Sequence, residues 1–93
     1  MMQSEIRDGR ICVSGCVSIQ TLNDKQCRLF RNQCMQPETH SIDFSGVTRA
    51  DSACISLLLI ALRERQGSLK LIALPESVRA LAKLYEVEEW LDI

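Results

Sequence analysis

The chain has 93 residues, a net charge of −1 and a sequence pI near 5.8. This length suffices for one domain with one hydrophobic core and is too short for two, so we expect a single domain over residues 1–93. A hydrophobic share of 46% and a charged share of 25% are typical of a soluble globular protein. The near-neutral charge leaves no basic footprint, which argues against a nucleic-acid partner.

Residues 5–15 predict a β-hairpin at the start of the chain. Asp8-Gly9 is a strong two-residue turn signal, and apolar β-formers follow it. The first strand is short and polar, so we expect it at the edge of a sheet. Gly15 is expected to end the second strand.

A helix is predicted next, with Thr21 as a plausible N-cap and Pro37 closing it. Its side chains divide into an outward polar group and one approximate apolar face, which consists of Leu22, Cys27, Leu29, Phe30 and Cys34.

Residues 41–66 form the best-defined part of the sequence. A strand over residues 39–44 is predicted to end at Asp43 or Phe44, and Ser45-Gly46 is predicted to form a turn. An apolar helix then begins near Asp51. Either Asp51 or Ser52 can cap it by accepting a backbone N–H. Positive charges at Arg63 and Arg65 suit its last turn, and Gly67 suits a left-handed stop.

This second helix is apolar on more than one side. At about 100° per residue, Ile55, Leu58 and Leu62 form a core-facing stripe, and three polar residues lie opposite, namely Ser52, Ser56 and Arg63. The flanks carry Ala53, Leu57 and Ile60. Either other elements of the domain bury these flanks, or they belong to a docking surface for a partner.

The last third of the chain predicts a strand over residues 68–74 and a helix that begins at Pro75. The helix has a regular apolar stripe formed by Val78, Leu81, Ala82 and Tyr85. Val87, Trp90 and Leu91 then form a short closing segment, either a strand or a helical turn. The order β-β-α-β-α-β-α predicts an α/β fold with a mixed, mostly parallel sheet covered on one face by helices.

The residues carry little recognisable chemistry. The sequence has no Gly-rich phosphate loop, no Gly-x-Ser-x-Gly motif and no His–Asp pair near a nucleophile. We interpret His40 as a residue that leads into a strand, and we expect no metal or cofactor. Asp43, Asp51 and Ser52 bracket one loop, yet no base or oxyanion hole can be assigned to the serine. The chain therefore reads as a binding or regulatory module and not as an enzyme.

The cysteines and the hydropathy indicate a cytoplasmic protein. Five cysteines are an odd number with no zinc or Cys-x-x-Cys spacing, so we expect all of them to be structural and reduced: Cys12, Cys16, Cys27, Cys34 and Cys54. The first five residues do not resemble a signal peptide, and the longest apolar run, residues 57–62, is too short to span a bilayer. We expect no direct membrane insertion.

One loop and its flanks resemble a known family. The residues in question are Ile42-Asp43-Phe44-Ser45-Gly46-Val47, followed by Asp51-Ser52-Ala53 and Ile55. They resemble the signature of STAS domains, a fold shared by anti-sigma factor antagonists and the cytoplasmic tails of sulfate transporters. The predicted element order also matches this fold. Residues 79–91 are similar to one branch in particular, the small MlaB-like subunit of the ABC transporter that moves phospholipids between the membranes of Gram-negative bacteria.

The sequence departs from the antagonist pattern at two positions. Antagonists usually carry Asp-Ser-Ser-Gly-Leu and are phosphorylated on the second serine. That position is Ala53 here, and Cys54 replaces the following glycine. Ser52 matches the first serine, a position that helps bind the ATPase in the transporter branch, and it is a weak candidate phosphosite. The resemblance implies a constitutive protein–protein contact.

From this resemblance we expect an accessory subunit that binds and supports the ATPase of an ABC-type lipid transporter, peripheral to the inner membrane. The motif loop would include Asp43, Gly46 and Asp51. The expected partner contacts are hydrogen bonds from Ser52 and Ser56, apolar contact by Ala53, Leu57 and Ile60, and a rim charge at Arg49. An anti-sigma factor antagonist is the alternative, and a stand-alone nucleotide-binding protein is a weaker third possibility. The isolated domain could also form a homodimer.

Overall fold

The computed structural model describes residues 2–65 and 69–91, with Trp90 and Leu91 described by their backbone only. Its elements are, in chain order, β1 (Gln3–Arg7), β2 (Arg10–Val17), α1 (Asp24–Cys34), β3 (Ser41–Ala50), α2 (Ala53–Arg65), β4 (Lys70–Ile72), α3 (Glu76–Leu84) and α4 (Glu88–Leu91). The predicted order is confirmed, and the closing segment is a helical turn. No helix in these two segments has the length and apolar character needed to cross a membrane.

The strands form one mixed sheet in the order β1-β2-β3-β4. β1 pairs antiparallel with β2, whereas the pairs β2–β3 and β3–β4 are parallel. β1 therefore lies at an edge, as its polar sequence predicted. The hairpin turn is also confirmed, because Asp8 and Gly9 adopt φ values of 50° and 79°, the left-handed pair that a two-residue turn between twisted strands requires.

Both inner strands are longer than their sequences predicted. β3 does not end at Asp43 or Phe44 but continues to Ala50, and Ser45-Gly46 is not a turn. A Cβ on Gly46 would lie 2.9 Å from the Cβ of Ser14, so this glycine permits close approach of β2. β2 likewise passes Gly15 and ends at Val17, with irregular register around both glycines. The sheet thus extends to the start of α2.

The hydrophobic core lies between one face of the sheet and the helices. Alternate residues of the inner strands supply the sheet side, including Ile11, Val13, Ile42 and Phe44. α1 contributes Phe30 and Cys34, and α3 contributes Val78 and Ala82. The opposite face of the sheet carries charged and polar side chains, namely Glu5, Arg7, Arg10, Cys12 and Asp43.

Helix α2 is buried on both flanks because it packs against α1 and also against α3 and α4. Ile55 and Leu58 lie in the core as predicted, and Leu62 packs partly against it. Leu57 is 0% exposed and Ala53 is 5% exposed, so neighbouring helices cover the flanks. The assignment of Leu57 and Ala53 to a docking surface was therefore wrong, because a wheel drawn for one sheet face omits the helices beside it.

The start and the outer face of α1 differ from the prediction. Its N-cap is Asn23, whose side-chain oxygen accepts the N–H of Gln26 at 2.9 Å. The Thr21 hydroxyl instead donates to the carbonyl of Cys16 at 2.7 Å and holds the preceding loop. Leu29, expected on the apolar face, is 43% exposed.

The C-terminal elements follow the prediction with shorter boundaries. β4 spans only Lys70–Ile72, and Pro75 is the N-cap of α3. Leu81 packs partly against the core, whereas Tyr85 is 49% exposed at the helix end. The predicted stop at Gly67 lies outside the described residues, as do the side chains of Trp90 and Leu91.

Two leucines of α2 test this burial pattern, since Leu57 is 0% and Leu59 is 39% exposed. We expect Leu57→Asp to lower the free energy of unfolding by more than about 4 kcal/mol, because it buries an unpaired charge. Leu59→Asp is the matched control and should cost less than about 1 kcal/mol, because its carboxylate stays in water. Urea unfolding measures both. Equal losses would contradict the exposed position of Leu59.

Candidate partner-binding site

Asp51 joins three segments at the end of the sheet. Its Oδ1 accepts the backbone N–H of Ala53 at 2.8 Å, and its Oδ2 accepts the N–H of Ile19 at 3.3 Å. Its own N–H donates to the carbonyl of Val17 at 3.1 Å. The residue therefore holds the end of β2, the loop after it and the first turn of α2 together.

The structure distinguishes the two predicted caps of α2. Asp51 satisfies a first-turn N–H with its carboxylate, as an N-terminal capping group does. The Ser52 hydroxyl makes no hydrogen bond within residues 2–65 and 69–91, and the residue is half-buried. Ser52 is therefore free to bond to a partner.

A narrow stripe of α2 faces solvent. Ser52, Ser56, Leu59 and Arg63 succeed one another at helical spacing, and we call these four residues the α2 outer stripe. Ser56 and Arg63 are exposed, Leu59 is 39% exposed, and Ile60 is half-buried at the border. The predicted grouping of the two serines with Arg63 is confirmed. Of the expected contact residues, Ser52, Ser56, Ile60 and Arg49 reach the surface, whereas Ala53 and Leu57 do not.

Arg49 and Ile19 lie beside the start of this stripe. Arg49 is exposed near the end of β3, directly across from Cys16 of β2. Ile19 is 72% exposed on the loop that Asp51 holds, and the sequence interpretation omitted it. The sequence does carry a signal for this exposed position, because Ile19 is a large apolar residue among polar loop residues, in Ser18-Ile19-Gln20-Thr21.

Asp43 and Gly46 lie elsewhere. At about 3.3 Å per residue, the strand between Asp43 and Asp51 separates them by roughly 25 Å. Asp43 Oδ1 accepts the Ser45 N–H at 2.9 Å, and Arg10 lies 3.8 Å from Oδ2. The pKa of the Asp43 carboxyl is lowered mainly because Ser45 donates to it, with a smaller attraction from Arg10. The structure therefore does not bring Asp43, Asp51 and Ser52 together.

The other chemically notable side chains have structural surroundings. All five cysteines are free thiols. Burial raises the pKa of Cys34 to about 11 and that of Cys54 to about 12, so both stay protonated at neutral pH. The backbone N–H of His40 donates to the carbonyl of Gly9 at 2.8 Å as the chain leads into β3, and the ring Nε2 lies 3.2 Å from the carbonyl oxygen of Asp8. Within the described segments, no group of three or more His, Cys, Asp or Glu residues could hold a metal ion.

Comparison with known proteins gives one family and one fold. The family model described as "Mlab, STAS domain" matches residues 9–92. The solved structure titled "Structure of the Anti-Sigma Factor Antagonist SpoIIAA in its Unphosphorylated Form" matches with a TM-score of 0.55 and 16% sequence identity. That match covers 90% of this chain and 83% of the other, and at such identity it shows the fold alone. A comparison with curated proteins gives no match.

The two capping candidates can be separated by mutation. Asp51→Ala should lower the free energy of unfolding by about 2 kcal/mol, because it removes the acceptor for two N–H groups in different segments. Ser52→Ala should change it by less than about 0.5 kcal/mol, since that hydroxyl has no partner to lose. Chemical denaturation of both variants against the wild type provides the measurement. A larger loss for Ser52→Ala than for Asp51→Ala would show that Ser52 is the cap.

Proposed function

The chain belongs to the STAS domain family, in its MlaB type, and on that premise we propose that it is the STAS subunit of an ABC-type lipid transporter. It binds the ATPase subunit on the cytoplasmic side of the inner membrane and supports phospholipid transport that maintains outer-membrane lipid asymmetry. The α2 outer stripe is the observation that carries this proposal. It presents two hydroxyls, an apolar side chain and a cation along the helix that begins at the end of the family motif.

The stripe has the composition of a protein contact. Ser52 and Ser56 supply hydrogen bonds, and Leu59 with the half-buried Ile60 supplies apolar area that no other described element covers completely. Arg63 adds a charge at its end. A small apolar centre with a polar rim is how protein interfaces are usually built.

Binding alone is sufficient for the proposed role, and no catalysis by this chain is needed. A subunit that binds only the folded, assembled ATPase stabilises that state by mass action, by about 2.7 kcal/mol at a free concentration 100 times Kd. The ATPase equilibrium shifts toward the active assembly while this chain never touches ATP.

An anti-sigma factor antagonist remains the alternative function, because a protein of that class has the same fold. The position that antagonists phosphorylate is Ala53, which has no hydroxyl and is 5% exposed. The neighbouring Ser52 is half-buried. These observations favour the transporter role over a phosphorylation switch.

Co-purification with the ATPase tests the stripe directly. We expect Leu59→Asp to remain folded but to lose co-purification with the co-expressed transporter ATPase, because an unpaired carboxylate would be desolvated in the contact at a cost of about 2 kcal/mol or more. The matched control is Leu84→Asp, since Leu84 is 72% exposed on α3 and lies off the stripe. It should co-purify like the wild type.

Two results of that experiment would contradict the proposal. If the wild-type chain does not co-purify, the transporter role fails. If the wild type and Leu59→Asp co-purify equally, the α2 outer stripe is not the contact.

Incubation with an anti-sigma serine kinase and ATP tests the alternative. We expect no gain of phosphate by intact-mass spectrometry, because the usual acceptor hydroxyl is missing at Ala53. An antagonist with serine at the corresponding position serves as the positive control. A stoichiometric gain of one phosphate that Ser52→Ala removes would instead support the antagonist role.

A further inference from the structure

A cavity of about 520 Å³ opens at the carboxyl ends of β2 and β3, next to the start of the α2 outer stripe. Its wall includes Asp51, the residue directly before Ser52. The rest of the lining comes from the end of each strand and from the loop after β2: Cys16, Ser18, Ile19, Gln20, Arg49 and Ala50.

The walls of this cavity are held before any partner binds. The Thr21 hydroxyl accepts the N–H of Ser18 at 2.9 Å and donates to the carbonyl of Cys16 at 2.7 Å. The Leu22 N–H donates to the carbonyl of Ser18 at 2.8 Å and closes the loop. Asp51 fixes Ile19 from the other side. A contact here would order little new chain, which favours binding.

Arg49 is the cationic group of the cavity lining. Among the described residues it has neither a hydrogen bond nor an ion pair, whereas Arg10 and Arg31 each have an acidic partner. Asp51 lies in the same wall but forms no ion pair with Arg49, and each of its oxygens accepts a backbone N–H. The cavity therefore holds a guanidinium whose donors bond to none of the described residues.

The rest of the lining is suited to cover a side chain. Ile19 is 72% exposed at the cavity, and Cys16 and Ala50 are partly buried residues of its wall. Apolar groups around a charged contact exclude water and thereby strengthen the electrostatic attraction.

We propose that this cavity receives an acidic side chain of the ATPase subunit, whose carboxylate pairs with Arg49 while Ile19 shields the pair from water. This inference rests on the proposed function and names the chemistry of its contact. A guanidinium binds a carboxylate through two parallel N–H donors, which supplies orientation as well as attraction. The α2 outer stripe then supplies contact area, and the cavity selects the partner.

Affinity for the purified ATPase subunit, measured at two salt concentrations, tests the proposal. Arg49→Glu should weaken binding about 10- to 100-fold or more, as expected for loss of a charge-assisted pair. Arg49→Gln should weaken it in the same direction without adding a repulsive charge. Arg49→Lys should retain part of the affinity, because lysine keeps the charge but loses the paired geometry. Binding of Arg49→Gln should also depend less on salt concentration than binding of the wild type does, because the variant lacks the charge that salt screens.

Arg28→Glu is the matched control, because Arg28 is exposed on α1 and lines no part of the cavity. It should bind within about threefold of the wild type, since an isolated surface charge contributes little. A second set of variants replaces each surface acid of the ATPase by lysine, one at a time. One of these lysines should restore binding of Arg49→Glu, because it re-forms a pair of opposite charges. Such a rescue identifies the acid that enters the cavity.

The outcomes separate this inference from the function on which it rests. A wild-type chain that does not bind the ATPase overturns the proposed function and the inference with it. A wild-type chain that binds, together with Arg49→Glu that binds within about threefold of it, overturns the inference alone. That second result would also be expected if the cavity held a small anion unrelated to the ATPase.

Discussion

The arrangement of this domain's outer end depends on one carboxylate. Asp51 accepts an N–H from the first turn of α2 and another from the loop after β2, while its own N–H bonds to the end of β2. Because both oxygens are used, the helix start and the loop cannot shift independently. The α2 outer stripe and the wall that carries Ile19 therefore present a constant geometry to a partner.

Helix α2 explains why the available surface is small. It packs on the sheet and against α1, α3 and α4, so most of its circumference is buried. The stripe that begins at Ser52 carries the exposed residues of the helix, Ser56, Leu59 and Arg63. So narrow a surface offers little apolar area, and specificity then depends on polar groups placed beside it. Arg49, with unused donors in a preformed cavity, is such a group.

The two glycines of the inner strands connect the fold to this site. Gly46 lets β3 approach Ser14 closely, and Gly15, with a φ of 84°, accommodates the irregular register of β2. Both strands then continue to the start of α2 instead of turning away. Arg49 and Cys16 become neighbours as a result, and the cavity forms where the extended strands end.

The sequence by itself determined the features that arise from local physics. The Asp8-Gly9 turn follows from left-handed backbone preference, the grouping of Ser52, Ser56 and Arg63 from the helical period, and the order of elements from hydrophobic patterning. The family motif was also readable, since it is a continuous stretch. Tertiary structure alone decided the burial of Leu57, the passage of β3 through Ser45-Gly46 and the placement of Ile19 beside the start of α2. Each of these depends on residues distant in sequence: the helices beside α2, the register against β2, and the carboxylate of Asp51.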